Sequence, residues 1–265
     1  MKLAYLGPEG SYSHLASLKL RPTAELVAFP CFRAVVCALK EGECDFAVLP
    51  IENSLNGAVL ANVDLLQNTD GVCAVEETFL PLDHRLATLA GADLSKITKI
   101  YSHEQPLAQC AEYLAKNFPK AQLISTASTV LSLESVKTPF DCAIVGAHIK
   151  REGITLSEEN IADGKNNYTQ FLLIARGSVA TDKKSERIYF SVTCNHSSGA
   201  LLDILEPMRA GGLNMTKIQS RPIKDSAGEY RFFIEVEGDY SSENVQEVLK
   251  GVEHQAKSFK LLGAY

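Results

Sequence analysis

The 265-residue sequence predicts an α/β protein in two parts, a two-lobed α/β region and then a βαββαβ plait. Three observations predict this. Short apolar runs alternate with helix-length segments through the first 177 residues, the rhythm of a parallel or mixed sheet covered by helices. Two longer apolar runs, 72–80 and 86–89, suit strands that cross between lobes, and the run from Tyr168 suits the return. Beyond the polar stretch from Arg176 to Ser185 the order changes to strand, helix, strand, strand, helix, strand.

Taken in order, Lys2 to Leu6 reads as a strand running into a Gly-Pro turn, and Ser11 or Ser13 as the cap of a helix to about Leu20. Glu25 to Phe29 is a strand. Cys31 to Lys40 is an amphipathic helix ended by Gly42. Asp45 to Ile51 is a strand stopping at a loop, Glu52 to Gly57, before a helix to about Gln67. Ile97 to Tyr101 and Gln122 to Ile124 are strands, each followed by a helix, 107–116 after the first and on to about Val136 after the second. Asp141 to Val145 is another strand. In the plait, Arg187 to Cys194, Asn214 to Ser220, Tyr230 to Val236 and Ser258 to Gly263 read as strands. Helices span 199–208 and the segment after Ser241, and Asp225 to Gly228 makes a turn.

Composition bounds the function. A hydrophobic fraction of 46% with 22% charged residues suits a globular protein. Net charge −6 and a pI near 5.6 argue against a nucleic-acid surface. No apolar run is long enough for a membrane span, and the N-terminus breaks too early for a signal peptide. Seven scattered cysteines, none in a CxxC pair, read as reduced, buried residues of a cytoplasmic protein, and no spacing suggests a metal.

The chemistry gathers at strand ends. In Asn166-Asn167-Tyr168-Thr169-Gln170-Phe171, alternation sets Thr169 and Phe171 on one face and Gln170 on the other. Thr169 is either a plain β-branched strand residue or a hydroxyl placed where α/β proteins touch ligand. Ser11, Asn53-Ser54, Ser102-His103 and Ser125-Thr126 also follow apolar strands and are mostly uncharged. Hydroxyls, amides and free backbone N–H groups of this kind suit the carboxylates of a small polar ligand. No GxGxxG or GxxxxGK[ST] points to a nucleotide. Glu52 is either a base or a turn cap, and His103 either a donor or a loop residue.

These residues carry a resemblance. Gly7-Pro8-Glu9-Gly10-Ser11-Tyr12-Ser13, Leu49 to Gly57 (LPIENSLNG), Tyr101 to Cys110 (YSHEQPLAQC), Ser125-Thr126-Ala127 and Tyr168-Thr169-Gln170-Phe171 resemble successive motifs of the prephenate dehydratase family. Gly199-Ala200-Leu201 and Gln219-Ser220-Arg221-Pro222 resemble the GAL and ESRP motifs of that family's ACT regulatory domain. The resemblance covers the whole chain.

It implies a periplasmic-binding-protein-like (type II) catalytic domain over 1–177. Lobe 1 would take about 1–76 and 166–177, and lobe 2 about 77–165. A linker at 178–186 would lead to a ferredoxin-like ACT domain over 187–265. It implies loss of CO2 and water from prephenate to give phenylpyruvate, with no metal or cofactor. Thr169 would be the donor to the leaving hydroxyl. Ser11, Asn53, Ser54, Gly57, Ser102, His103, Ser125, Thr126, Gln170 and Phe171 would contact substrate. Phenylalanine would bind at Gly199, Ala200, Leu201, Asn214, Gln219, Ser220, Arg221 and Pro222, in a cytoplasmic homodimer or homotetramer assembled through the ACT domains. Two departures matter. Gln170 stands for the family Arg, and offers an amide where a guanidinium could hold a carboxylate; Lys165 is the nearest cation in sequence. Gln219 stands for a Glu, which puts feedback by phenylalanine in question. Alternatives on the same fold are an arogenate dehydratase, a prephenate decarboxylase that keeps the hydroxyl, and a non-catalytic sensor of a small acid.

Overall fold

A computed structural model describes residues 1–164, 166–223 and 228–265. Lys165 and residues 225–227 of the expected turn lie outside the described residues.

The chain runs β1 (Lys2–Leu6), α1 (Tyr12–Leu20), β2 (Glu25–Phe29), α2 (Phe32–Glu41), β3 (Phe46–Asn53), β4 (Gly57–Ala58), α3 (Leu60–Asn68) and β5 (Val72–Pro81). It continues through β6 (His84–Leu89), β7 (Lys99–Ser102), α4 (Glu104–Gln109), α5 (Ala111–Asn117), β8 (Gln122–Ser125), β9 (Asp141–Gly146) and β10 (Ile154–Leu156). The last elements are β11 (Tyr168–Arg176), β12 (Arg187–Thr193), α6 (Ala200–Ala210), β13 (Met215–Pro222), β14 (Tyr230–Glu237), α7 (Glu243–Gln255) and β15 (Ser258–Ala264).

Two mixed sheets result. The larger has the order β13-β14-β12-β15-β5-β11-β3-β1-β2, with β4 paired to β3; the smaller is β10-β6-β9-β7-β8. β11 lies antiparallel between β3 and β5. Because β5 pairs with β11 as far as Pro81, the chain changes sheets at Leu82-Asp83, later than the expected boundary at 76/77. The βαββαβ segment is more than a plait on a tether. Its last strand lies parallel to β5 through Gly263 and Ala74. Its Tyr189, Phe233 and Leu262 join the same apolar core as Leu172 and Ile174. A second core, with Phe190, Ile204 and Val252, lies under α6 and α7.

Strand alternation sorts β11 by face: Leu172 and Ile174 enter the core shared with α2 and α3, whereas Phe171 and Leu173 pack with Leu3, Tyr5 and Ala16 against α1. Ser11 caps α1 by accepting the His14 N–H at 3.2 Å. Gly42 ends α2 at φ 83°, the left-handed position that favours glycine.

Three expected elements differ, each for a local reason. The helix after Ser102 begins at Glu104 and breaks at Cys110. The Asp163 carboxylate caps the new start by accepting the Glu112 and Tyr113 N–H groups, each at 2.9 Å. The helix expected after Thr126 is only a short 3-10 turn, Leu131–Ser135. There Thr126, Ser128 and Ser132 bond nearby backbone, which competes with a helix. The Glu52–Gly57 loop is a tight hairpin, because Glu52 and Asn53 still pair with β4. Cys44, Cys73, Cys110 and Cys142 are buried as expected, but Cys31 and Cys37 are exposed.

Candidate active site

The outer ends of β3 and β11 meet with Asn53 opposite Thr169 and, one step inward, Glu52 opposite Gln170. The two pairs therefore face opposite sides of the sheet. Asn53 and Thr169 are both buried. The Asn53 carboxamide nitrogen donates to Asn167 Oδ1 at 2.8 Å, to the Tyr168 carbonyl at 3.1 Å and to Thr169 Oγ1 at 3.1 Å. Its Oδ1 accepts the Leu55 and Asn56 N–H groups at 3.1 and 3.0 Å, the Asx turn that closes the hairpin. These bonds fix which end of the amide faces Thr169. The Thr169 oxygen accepts from Asn53, so its own proton is left to donate elsewhere.

Ser54 works as a staple. Its hydroxyl donates to the Asn166 carbonyl at 3.1 Å and accepts the Tyr168 N–H at 3.0 Å. Asn167, absent from the residues singled out for substrate, belongs here: it is buried, and its Nδ2 has no partner among the described residues. Gln109 is alike. It is buried, its Oε1 meets His84 Nε2 at 2.8 Å, and its Nε2 has no partner among the described residues. A buried amide N–H without a partner is a group that a ligand or water would satisfy. In the sequence both were ordinary amides; burial is the signal that marks them.

The other side of the strand pair corrects two expectations. Gln170 is buried and faces away from Thr169: its Nε2 donates to Glu77 at 2.7 Å and its Oε1 accepts from Lys217 at 2.7 Å. Glu52 pairs with the same Lys217 at 2.6 Å. Neither side chain is placed to touch a ligand beside Thr169, because each is one strand position out of phase with it. Phe171 is also corrected: it shares the face of Thr169 but lies two residues further in, packed in the core beside α1, where it is 2% exposed.

Ser102 and Ser125 pair at the ends of β7 and β8, and Thr126 N–H reaches the Ser102 carbonyl at 2.8 Å. Ser102 is fully buried and spends its hydroxyl proton on the Ile144 carbonyl at 2.8 Å, which ties the end of β7 to β9. His103 is exposed and caps α4 through Nδ1. Ser125 is exposed and Thr126 bonds the Ser128 carbonyl at 3.0 Å. Ser11 donates to the Leu6 carbonyl at 3.1 Å while capping α1. Gly57 takes φ 74° at the hairpin, with open space where a Cβ would stand.

The loop after β1 also touches the smaller sheet's half of the molecule. Tyr12 donates to the Asp83 carbonyl at 3.3 Å, its ring edges His84 and His148, and the His148 ring meets the Gly10 carbonyl at 2.8 Å. Burial raises the Tyr12 phenol well above its ordinary range, so it stays protonated. Burial lowers the His84 imidazole, against the opposing pull of Gln109 and Asp83.

In the C-terminal segment the residues proposed for phenylalanine separate. Ala200 and Leu201 line a cavity of about 160 Å³ with His196 and Tyr230, and Gly199 caps α6 at φ 86°. Arg221 and Pro222 line a different cavity, of about 730 Å³, between α2, α3 and β13, where Arg221 grips Asp64 at 2.6 Å. Asn214 bonds Glu237 at 2.8 Å, and Gln219 bonds the Ser220 carbonyl at 3.0 Å. Thr169 and Asn53 line neither cavity.

No group of three or more His, Cys, Asp or Glu among the described residues is placed to hold a metal ion. No helix among them is long and apolar enough to cross a membrane.

Comparison with known proteins bears on this site. The family model described as prephenate dehydratase matches residues 3–179. A bifunctional chorismate mutase/prephenate dehydratase from Enterobacter agglomerans is 34% identical over 274 residues, covering 100% of this chain and 70% of that protein. The crystal structure of a prephenate dehydratase from Arthrobacter aurescens in complex with L-Phe is similar at TM-score 0.88 and 26% identity, over 100% of this chain and 90% of that one. That of a prephenate dehydratase from Staphylococcus aureus is similar at TM-score 0.86 and 26% identity, covering 100% of both chains.

Proposed function

This chain belongs to the prephenate dehydratase family and converts prephenate to phenylpyruvate, water and CO2 in phenylalanine biosynthesis; we propose that it does so at the Asn53–Thr169 strand end. One observation carries the reading: Thr169 accepts its hydrogen bond from Asn53, which leaves the threonine proton free to donate. Loss of the ring carboxylate as CO2 pushes an electron pair into the ring, and the C–O bond to the ring hydroxyl breaks as the ring becomes aromatic. The departing oxygen takes the pair of that bond and must acquire a proton to leave as water. Thr169 donates to the developing charge and is reprotonated from solvent, since a threonine hydroxyl is too weak an acid to give its proton up for good. The open amide hydrogens of Asn167 and Gln109 hold substrate oxygens. Ser54 holds the two strand ends together.

We further propose a two-lobed catalytic region to about residue 177 and an ACT domain from about 187. The βαββαβ order and the similarity to a prephenate dehydratase complexed with L-Phe support this. Phenylalanine would bind between two copies in a homodimer or homotetramer, because Ala200-Leu201 and Arg221-Pro222 line different cavities within one copy. Seven free thiols suit a reducing, cytoplasmic setting.

The test is direct. Purified protein given prephenate should release phenylpyruvate and CO2 in equal amounts. Release of CO2 with the ring hydroxyl retained, or binding without turnover, would reject the assignment.

A further inference from the structure

The face of the strand pair opposite Thr169 carries a polar network that the chemistry above does not use. Lys217, on β13 of the C-terminal segment, places Nζ 2.6 Å from Glu52 Oε2 and 2.7 Å from Gln170 Oε1. Glu52 directly precedes Asn53, Gln170 directly follows Thr169, and the two face each other across β3 and β11. One ammonium therefore clamps both strands one residue from the proposed donor and its partner. The clamp is anchored. A register shift between Met215 and Lys217 re-aims β13, and the Lys217 side chain is only 13% exposed. Behind it, buried Glu235 accepts from Thr216 at 2.7 Å, Arg187 at 2.8 Å and Tyr265 at 2.7 Å. Gln170 Nε2 reaches toward Glu235 at 3.4 Å and bonds Glu77 at 2.7 Å, and Arg187 pairs with Glu77 at 3.1 Å.

Charge explains why a lysine is needed there. Glu52, Glu77 and Glu235 converge on one partly buried space, and Gln170 is neutral. Lys217 and Arg187, both from the C-terminal segment, supply the positive charge. Where the family motif has an arginine on β11 itself, this chain has Gln170 and draws its cation from β13, a strand at the far edge of the same sheet whose Lys217 side chain reaches Gln170.

We propose that Lys217 is a positioning residue for the reaction, a cation lent by the C-terminal segment that fixes Glu52 and Gln170 and so the Asn53–Thr169 pair. The proposal rests on the reading of Thr169 as the donor. It makes turnover depend on the placement of β13, the strand that also carries Gln219 to Pro222.

The test compares Lys217→Met, Lys217→Arg and the double variant Lys217→Met/Gln170→Arg, each first shown to be folded by thermal unfolding. Lys217→Met should lower kcat by about tenfold with KM within about twofold, since small misplacements of a reacting group act on kcat. Lys217→Arg should stay near wild type, and Gln170→Arg in the Lys217→Met background should restore most of the loss. If Lys217→Met does not fold, Lys217→Gln reads the same ratio. A folded Lys217→Met or Lys217→Gln with wild-type kcat overturns the proposal, as does a loss that Gln170→Arg leaves unrepaired. Thr169→Ala is measured beside them. Wild-type turnover by that variant rejects the donor role, whereas the Lys217 rescue rejects or supports the clamp on its own.

Discussion

Asn53 donates to the Thr169 hydroxyl at 3.1 Å across paired strands, and its carbonyl end is held by the hairpin N–H groups of Leu55 and Asn56. The direction of this bond separates two variants. Asn53→Asp keeps the acceptor that the hairpin uses but replaces the donor with a carboxylate oxygen. Thr169 would then donate back to Asp and away from substrate. Turnover should fall on the order of a hundredfold or more, the scale of losing one transition-state donor. Asn53→Ala should fall as far and also lose stability, by about 1–3 kcal/mol, through the broken hairpin and the groups left unpaired. Steady-state kinetics with urea unfolding distinguishes the two.

Gly263 packs against Ala74 where β15 of the C-terminal segment meets β5. A Cβ added there would stand 2.5 Å from Ala74 Cβ and 2.7 Å from the Ala74 carbonyl oxygen. Gly263→Val should destabilise by about 1–3 kcal/mol, the usual cost of overpacking. Strain at the junction should also displace β15 and its neighbours, so turnover should fall beyond what the folded fraction explains. Urea unfolding followed beside activity checks both.

The network around Gln170 predicts opposite pH signs for two carboxylates. Burial alone would raise Glu235, but Lys217, Thr216, Tyr265 and Arg187 together hold it below the ordinary 4.5. Its stabilisation is therefore present above the ordinary glutamate range and lost as pH falls through the lower folded value. Burial raises Glu77 above 4.5 despite Gln170 and Arg187. Its contribution is present below that range and lost as pH rises through the raised folded value. Glu235→Gln should flatten the acid limb of stability, and Glu77→Gln should gain on wild type as pH rises from about 4 to 7. Chemical unfolding at several pH values measures both.

Phenylalanine should raise the unfolding temperature, because a ligand bound only to the folded state stabilises it. Gln219 carries no charge to meet an ammonium group and turns its amide to the Ser220 carbonyl. Gln219→Glu should therefore enlarge the shift at fixed phenylalanine, and calorimetry should show tighter binding. No heat and no shift at millimolar phenylalanine in either protein would make the C-terminal segment structural.

Much of this was legible in the sequence because local chemistry and fold agree. Ser11, Gly42 and the apolar run of β11 each signal what they do. The alternation that set Gln170 opposite Thr169 was readable too, yet adjacency in the motif drew Gln170 and Phe171 into the substrate list and left Glu52 open as a base. Their partners, Lys217 and the α1 core, are distant in sequence, and no local pattern announces them. The same holds for the cap that Asp163 lends to α5, and for Asn167 and Gln109, whose unpaired amides are visible only once burial is known. The segment after Thr126 failed for another reason: apolar spacing suggested a helix while Ser and Thr side chains captured the backbone.

The most direct measurement is kcat for prephenate with Thr169→Val set against Thr169→Ser. Valine keeps the β-branch and the volume and removes the hydroxyl; serine keeps the hydroxyl. The donor role predicts that valine loses on the order of a hundredfold or more in kcat and that serine keeps most of it. A valine variant that forms phenylpyruvate at the wild-type rate would contradict the account.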